Sequence, residues 1–250
     1  MIDFHTHLLP GIDDGSRSIE ETQVILEGQA RIGLKTAVAT PHFYPDHDVE
    51  TFVQLRQEAK DKIEEGLKAT GINLRLGAEV LLSVDTWKLE GLEALCIEGT
   101  NYILIELPYT HWSDWVYTSI QKLIDNKRLI PILAHVERYE VVDENPNCLI
   151  PFIEMGCLLQ MNAKSLHPQS TRRKLSNKLV KHKFIHLLGS DVHRGSGLYP
   201  VSLGYEALAK VVEPSYIEKM SHIGEAILAN QRVDIAGPQP FKKRLGKWYW

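Results

Sequence analysis

A chain of 250 residues with 44% hydrophobic and 24% charged residues is long enough to form one large α/β domain around its own core. Its formal net charge of −4 at pH 7 gives no basic field for nucleic-acid binding, and no apolar run approaches the roughly 18–20 residues of a membrane span. No signal peptide precedes the first strand, and three cysteines without CxxC spacing predict neither a disulfide framework nor a thiolate zinc site, so the expected compartment is the cytoplasm.

Strand-like and helical segments alternate along the chain. After a first strand that begins at Met1, Ser18 opens a capping box and predicts the start of a helix. Apolar residues at three- and four-residue steps predict a long amphipathic helix over residues 49–70, which Gly71 ends. Further helices are predicted over residues 112–126, 145–155, 170–181, 202–212 and 214–230. This alternation favours parallel strands joined by right-handed crossovers.

Seven strand-like runs each end in a metal-binding side chain. In chain order these ends are His5 with His7, His42, Glu79, Glu106, His135, Asn162, and Asp191 with His193. Imidazoles and carboxylates are the ligands of the divalent metals that assist hydrolysis. Because the C-terminal ends of parallel barrel strands converge on one face, the pattern predicts a polynuclear metal site at the mouth of a seven-stranded (βα) barrel.

The predicted barrel occupies residues 1–236 as one domain, since the sequence shows no boundary before about residue 236. Residues 237–250 are a short basic and aromatic tail, which we expect to be either packed on the barrel or disordered.

Residue spacing brings several of these side chains to one face. His5 and His7 are two apart on a strand and therefore point to the same side, and Asp191 and His193 repeat this spacing on the last strand. When a barrel closes, its first and last strands are neighbours, so both pairs are expected to share one site.

The residue pattern leaves two further features of the site undecided. In the turn that follows His7, Asp13 and Asp14 are equally able to lean over the site. The identity of the metal is also open, because sites of His, Asp and Glu accept Mn, Fe, Zn, Co or Mg.

A single histidine or glutamate at a strand end is usually a capping or solvated residue, and only the joint register of nine such residues supports a metal site. His186 lies inside a strand and is expected to be a core histidine. Nucleophilic catalysis is not expected, because no cysteine has an arginine six residues later and neither GxSxG nor a GxxxxGK[ST] loop occurs.

These motifs resemble the PHP (polymerase and histidinol phosphatase) superfamily, and more closely its capsular-polysaccharide-type, manganese-dependent bacterial tyrosine-protein phosphatases. The resemblance runs from residue 1 to about residue 230. Its motifs are Met1 to Ser16, Thr40-Pro41-His42, Gly77-Ala78-Glu79, Ala134 to Tyr139, Met155 to Asn162 and Gly189 to His193.

The resemblance implies a distorted seven-stranded TIM-like barrel, the PHP fold, with up to three ions, most often Mn. It assigns the ligands in three groups: His5, His7, Glu79 and Asp191; Glu79, Glu106 and His135; and Asp14, His42 and His193. The choice of Asp14 over Asp13 rests on this resemblance. A metal-activated hydroxide would attack the phosphorus, and two metals about 3.5–4 Å apart would hold the phosphoryl oxygens.

The same resemblance assigns Arg138 to phosphate binding. The family commonly has a second arginine five residues after the last metal histidine, where this chain has Leu198, so Arg194 is the candidate replacement. Tyr109, Trp112 and Trp115 follow Glu106 and could stack on a substrate ring, although packing of a helix on the barrel is the favoured interpretation.

The implied activity is hydrolysis of phosphotyrosine in a protein, with the C-terminal tail of a bacterial tyrosine kinase that governs capsule or exopolysaccharide synthesis as the expected partner. One alternative is a small-molecule phosphoesterase of the histidinol-phosphatase type. Another is a non-catalytic, metal-stabilised docking module. The oligomeric state is not predicted.

Overall fold

Parallel strands alternate with helices through the residues that the computed structural model describes, which are 1–235, 237–244 and 247–249. The strands are β1 (Ile2–Thr6), β2 (Thr36–Ala39), β3 (His42–Phe43), β4 (Asn73–Leu76), β5 (Glu79–Leu81), β6 (Tyr102–Glu106), β7 (Ile130–Leu133), β8 (Leu158–Asn162), β9 (Leu187–Gly189), β10 (Lys242–Arg244) and β11 (Lys247–Tyr249). The helices are α1 (Ile19–Arg31), α2 (Val49–Asp61), α3 (Glu64–Thr70), α4 (Asp114–Lys127), α5 (Glu140–Glu144), α6 (Ile150–Glu154), α7 (Arg173–Lys181), α8 (Val201–Leu208) and α9 (Pro214–Leu228).

The parallel strands form two sheets that continue into each other. One has the order β1-β2-β4 and the other β3-β5-β6-β7-β8-β9. Between them, the Gly77 N–H donates to the Ala39 carbonyl (2.8 Å) and the Glu79 N–H to that of Pro41 (3.0 Å). At the opposite edge Thr6 forms a parallel bridge with Val192, just beyond β9. The result is a mixed α/β fold around a curled parallel sheet.

Apolar side chains fill the concave side of this sheet. Phe4, Leu104 and Ile132 belong to one buried cluster with Ile223 and Ile227 of α9, which therefore closes the end of the sheet opposite the strand C-termini. A larger cluster packs the convex side against the helices. Apolar area removed from water is the main favourable term in folding, so this packing holds the strand ends in place.

Two predicted helices are interrupted in the structure. The helix predicted over 49–70 is α2 and α3, because the backbone leaves the helical region at Ile63 (φ −111°, ψ 9°), whose side chain is buried. The helix predicted over 145–155 is a 3-10 turn, Pro146–Leu149, followed by α6, because Pro151 has no N–H to continue the first turn. None of the helices within the described ranges is both long and apolar enough to cross a bilayer.

Other predicted helix ends are confirmed. The Ser18 side chain accepts the Glu21 N–H and caps α1, although Glu21 itself accepts from the Arg17 N–H rather than completing a capping box. Gly71 has the left-handed conformation (φ 68°) that ends α3 without a Cβ clash.

The tail packs on the domain where it begins. Phe241 is buried, stacks on His182 with a centroid distance of 3.8 Å, and exchanges two backbone hydrogen bonds with the Asn147 amide. Strands β10 and β11 then pair antiparallel. The predicted domain boundary at residue 236 lies outside the described residues.

Candidate metal centre

The predicted ligands of the first ion converge at the C-terminal end of the sheet. The Nε2 atoms of His5 and His7 lie 2.9 Å apart, and Glu79 Oε2 lies 3.0 Å from His5 Nε2 and 3.3 Å from His7 Nε2. Asp191 Oδ1 lies 3.6 Å and 3.4 Å from the same two nitrogens. Four donor atoms, from the end of β1, the start of β5 and the segment after β9, therefore surround one point.

The second predicted group shares Glu79. His135 Nε2 lies 2.8 Å from Glu79 Oε1 and 3.3 Å from Glu106 Oε1. The two oxygens of Glu79 thus face two different groups, which is the arrangement that a bridging carboxylate requires. Glu79 and His135 are almost completely buried.

The third predicted group lies on the more exposed side. Asp14 Oδ1 lies 3.3 Å from His193 Nε2 and 3.6 Å from His42 Nε2. His42 also approaches Glu79, with 3.2 Å between its Nδ1 and Oε2, so this group adjoins the other two. All nine residues predicted as ligands therefore lie in one continuous cluster.

The backbone is strained at two of these positions. His135 (φ 31°) and Asp191 (φ 53°) adopt left-handed conformations that residues other than glycine rarely take. Such strain persists where the surrounding structure overdetermines it, often at functional sites. Gly189 permits the close approach of β1, since a Cβ there would lie 2.5 Å from that of His5.

Three histidines are oriented by hydrogen bonds at the far side of their rings. His5 Nδ1 faces Gln160 Oε1 (3.2 Å), His7 Nδ1 faces Asp13 Oδ2 (2.7 Å) and His193 Nδ1 faces the Asp191 carbonyl oxygen (3.0 Å). Each partner is an acceptor for a proton on Nδ1, so each ring directs its Nε2 into the cluster.

This orientation is the evidence that the donor set fits a metal. The lone pairs of His5 Nε2 and His7 Nε2 face each other and a carboxylate, an arrangement of acceptors that needs a cation between them. Nitrogen and oxygen donors of this kind suit Mn, Fe, Co or Zn, and the metal-ligating histidine that donates its other N–H to a carboxylate or carbonyl is a recurring design.

The pKa shifts of the buried ligands in the protein alone likewise indicate that the cluster favours a positive charge. Although burial disfavours the charged ring, hydrogen bonds to Asp13, Asp191 and Glu79 raise the pKa of His7 well above its usual value. Burial likewise opposes the charge of His135, yet its carboxylate neighbours raise its pKa to about 10. Burial opposes ionisation of Glu79 too, but the surrounding imidazoles hold its pKa well below its usual range.

The two adjacent aspartates have different roles in the structure. Asp13 has a buried side chain, 4% exposed, that accepts from His7 and from the backbone N–H groups of Gly15 and His42. Asp14 is 69% exposed and directs its carboxylate at His42 and His193. Asp13 therefore orients a histidine, whereas Asp14 offers an oxygen to the cluster.

Gln160 is a site residue that the sequence reasoning missed. It is fully buried on β8; its Oε1 accepts from the His135 backbone N–H (2.7 Å) and its Nε2 donates to Asn162 Oδ1 (3.0 Å). Asn162 Nδ2 then donates to Asp191 Oδ2 (2.7 Å), so that the other carboxylate oxygen, Asp191 Oδ1, faces His5. The available signal was the spacing, since Gln160 lies two residues before Asn162 and hence on the same face of its strand.

Arg138 lies at the edge of the cluster. Its Nη1 donates to Asp191 Oδ2 (3.0 Å), and its guanidinium carbon lies 5.2 Å from the centroid of the Tyr109 ring. Tyr109 also stacks on His135, with 5.8 Å between the ring centroids. The side chain of Arg138 remains 41% exposed, so its remaining N–H donors face an open cleft.

Arg194 reaches the loop that carries Asp13 and Asp14. Its Nη1 donates to the Gly15 carbonyl oxygen and, at 3.4 Å, to that of His193. Leu198 contacts α1, where it lies against Gly28. The participation of Arg194 in phosphate binding stays a prediction.

Two predictions of structural roles are confirmed. His186 is buried, and its Nδ1 accepts the Leu159 N–H (2.9 Å). Trp112 packs edge-on against Tyr139 and Phe152 and donates its indole N–H to the Pro108 carbonyl, as expected of a packing residue.

A cleft of about 1020 Å³ opens beside the cluster. Arg138, Asn162, Asp191 and His193 line its inner end, and residues from Lys164 to Arg172 line its outer wall. A substrate in this cleft would therefore have one end against the candidate metal ligands.

Comparison with known proteins gives one family and several relatives. The family described as capsular polysaccharide synthesis, CpsB/CapC, matches residues 1–228. The CapC protein of Staphylococcus aureus is 30% identical over all of this chain and 99% of its own length, and the tyrosine-protein phosphatase YwqE of Bacillus subtilis is 28% identical over 98% of both chains. A solved structure described as a metal-dependent tyrosine phosphatase, from work on YwqE and on CpsB of Streptococcus pneumoniae, superposes with a TM-score of 0.85 at 26% identity and covers 97% of this chain and 100% of that one.

Proposed function

This chain belongs to the CpsB/CapC capsular polysaccharide synthesis family, and on that premise we propose that it is a metal-dependent tyrosine-protein phosphatase. The observation that carries the proposal is the convergence of three sets of nitrogen and oxygen donors, with Glu79 shared between two of them. Relatives that align with 98% and 84% of the chain are named tyrosine-protein phosphatases, which supports the same reaction.

We assign the nine predicted residues as ligands: His5, His7, Asp14, His42, Glu79, Glu106, His135, Asp191 and His193. When bound, the metals would lower the pKa of a water and bind the phosphoryl oxygens. We favour Mn, in keeping with the resemblance, among the metals that this donor set accepts.

The protein's own groups would position the phosphoryl group. Arg138 faces the cleft beside Asp191, and its planar guanidinium can donate two parallel hydrogen bonds to phosphate oxygens. Tyr109 stacks on His135 and lies beneath the arginine, so it keeps both groups in place. The leaving tyrosinate has a pKa of about 10 and therefore needs little help from a general acid.

We also propose that the curled sheet is a distorted seven-stranded barrel. In this interpretation β2 with β3, and β4 with β5, are each one strand interrupted at residues 40–41 and 77–78. The hydrogen bonds of Gly77 and Glu79 across these interruptions support it, as does the bridge between Thr6 and Val192. Residues 1–236 would be the catalytic domain.

The proposed substrate is a phosphotyrosyl protein, and the C-terminal tail of a tyrosine kinase of capsule synthesis is our favoured partner, in line with the family. We propose that the protein acts in the cytoplasm, which suits its free cysteines, Cys96, Cys148 and Cys157.

The test is turnover of a phosphotyrosyl peptide, of a phosphoseryl peptide and of histidinol phosphate by the metal-free protein supplied in turn with Mn, Fe, Co, Zn or Mg. We expect metal-dependent release of phosphate from phosphotyrosine at the highest kcat/KM. Preference for histidinol phosphate would identify a small-molecule phosphoesterase. Absence of turnover with every metal would leave the docking-module alternative.

A further inference from the structure

The cleft beside the metal centre extends well beyond the space that one phosphotyrosyl side chain needs. Its volume of about 1020 Å³ lies at the upper end of the range of roughly 300–1,000 Å³ found for sites that bury whole drug-sized ligands. The inner end holds Arg138, Asp191 and His193, where the phosphate would react. The outer part is therefore available to another part of the substrate.

The outer wall is polar and presents two cationic side chains. Lys164 and Arg172 line it, together with the uncharged polar side chains of residues 169–171. One acidic residue outside the ligand set, Glu140, also lines the cleft. Asp143 accepts one hydrogen bond from Arg172 Nη1 (3.0 Å), which engages one of the five N–H donors of that guanidinium.

The wall is attached firmly to the metal centre. Glu137, fully buried, accepts from the Ser165 hydroxyl (2.7 Å) and from the Asn162 backbone N–H (3.1 Å). Lys164 lies between these two anchored residues, only two positions after Asn162, which itself bonds to Asp191. The backbone that carries Lys164 is therefore held beside the reacting end, within reach of its side chain.

From this arrangement we infer that the outer wall is a recognition subsite for a second anionic group on the substrate peptide, close in sequence to the phosphotyrosine. Lys164 and Arg172 would bind it, whether it is the carboxylate of an acidic residue or another phosphate. The inference rests on the proposed phosphatase function and adds the substrate feature that the cleft selects.

Peptide kinetics test the subsite. We would compare phosphotyrosyl peptides that differ at one flanking position, which carries Gln, Glu or phosphoserine and is moved from four residues before to four residues after the phosphotyrosine. At the best position we expect kcat/KM about two- to fivefold higher for Glu than for Gln, because one partly exposed charge contact changes affinity only modestly. A larger gain with phosphoserine would identify a phosphate as the favoured group.

The matched variants are Lys164→Gln and Arg172→Gln, with Arg173→Gln as control, because Arg173 is the exposed neighbour that does not line the cleft. We expect the ratio of kcat/KM between the Glu and Gln peptides to fall toward one in the two cleft variants and to be retained in Arg173→Gln. Hydrolysis of p-nitrophenyl phosphate, which lacks flanking groups, should change less than twofold in all three.

Absence of any anion preference in the wild type, or a preference that survives in both Lys164→Gln and Arg172→Gln, would contradict the proposed subsite. Failure of the wild type to hydrolyse p-nitrophenyl phosphate with every metal would instead refute the phosphatase function. The two failures are therefore distinguishable.

Discussion

Replacement of Gln160 by methionine should separate the orientation of the metal ligands from the ligands themselves. Gln160 is fully buried and accepts from His5 Nδ1 and from the His135 backbone N–H. Methionine fills a similar volume but offers no comparable acceptor. Both donors would lose their partner in the core, and the Nε2 atom of His5 would no longer be fixed toward the metal.

The expected magnitude follows from these two bonds. A buried donor left without a partner costs roughly 1–3 kcal/mol, so the free energy of unfolding should fall by about 2–6 kcal/mol. Loss of the group that orients a ligating histidine typically costs about 10- to 100-fold in metal affinity or activity. We therefore expect Gln160→Met to bind metal about 10- to 100-fold more weakly and to lose a similar factor in turnover at fixed metal concentration.

The assay is metal titration by calorimetry together with denaturant unfolding. Gln29→Met is the matched control, because Gln29 is equally buried but its amide contacts Asp3 and Ser190. It should lose stability and keep metal affinity. Gln160→Glu keeps an acceptor for both donors but loses the bond to Asn162 Oδ1, and should recover part of the affinity. Equal metal affinity in Gln160→Met and the wild type would refute this reasoning, as would an equal loss in Gln29→Met.

Three other variants probe separate parts of the molecule. Asp191→Asn removes a ligand charge and should lower turnover at least about 100-fold in a metal-replete assay with the fold retained by circular dichroism; unchanged turnover would remove Asp191 from the centre. Arg138→Gln removes a charged hydrogen bond worth roughly 1.5–3 kcal/mol, so kcat/KM should fall about 10- to 150-fold while metal affinity stays within twofold; a parallel loss of metal affinity would contradict a role in phosphate binding. Burial, with the Lys219 charge, lowers the pKa of His186 to about 3, whereas the unfolded chain takes up this proton near pH 6.5. The free energy of unfolding should therefore decrease as the pH is lowered through this interval. Between pH 7 and pH 5 it should decrease by about 2 kcal/mol more in the wild type than in His186→Asn, as measured by denaturant unfolding; identical pH dependences would contradict this.

The ligand set could be predicted from sequence because strand periodicity and parallel topology fix where strand ends meet. Once β6 and β7 pair in parallel, Glu106 and His135 must lie on the same edge of the sheet, as their 3.3 Å separation illustrates. Topology alone cannot separate Asp13 from Asp14, since both lie in one turn. The difference arises from the path of the loop, in which the close contact of Gly15 with the His7 backbone turns one carboxylate inward and leaves the other exposed.

The orienting residues were harder to foresee for a related reason. Gln160 gives no chemical signal of its own, and its role appears only when His5, 155 positions away, is brought against it. Arg172 is equally inconspicuous in sequence, because it is one of several basic residues near α7 and only the turn after Asn162 directs it to the cleft. The break at Ile63 was missed because the apolar spacing continues unchanged across it, so the residue pattern gives no sign of the change in backbone angles.

The orienting bonds explain how one scaffold can hold so many acceptors together. Asp13, Gln160 and the Asp191 carbonyl each fix a histidine from outside the cluster, and Asn162 fixes the Asp191 carboxylate in the same way. These groups lie on strand ends whose positions are set by apolar packing on both sides of the sheet. The geometry of the centre is therefore set by the packing of the core together with these orienting hydrogen bonds.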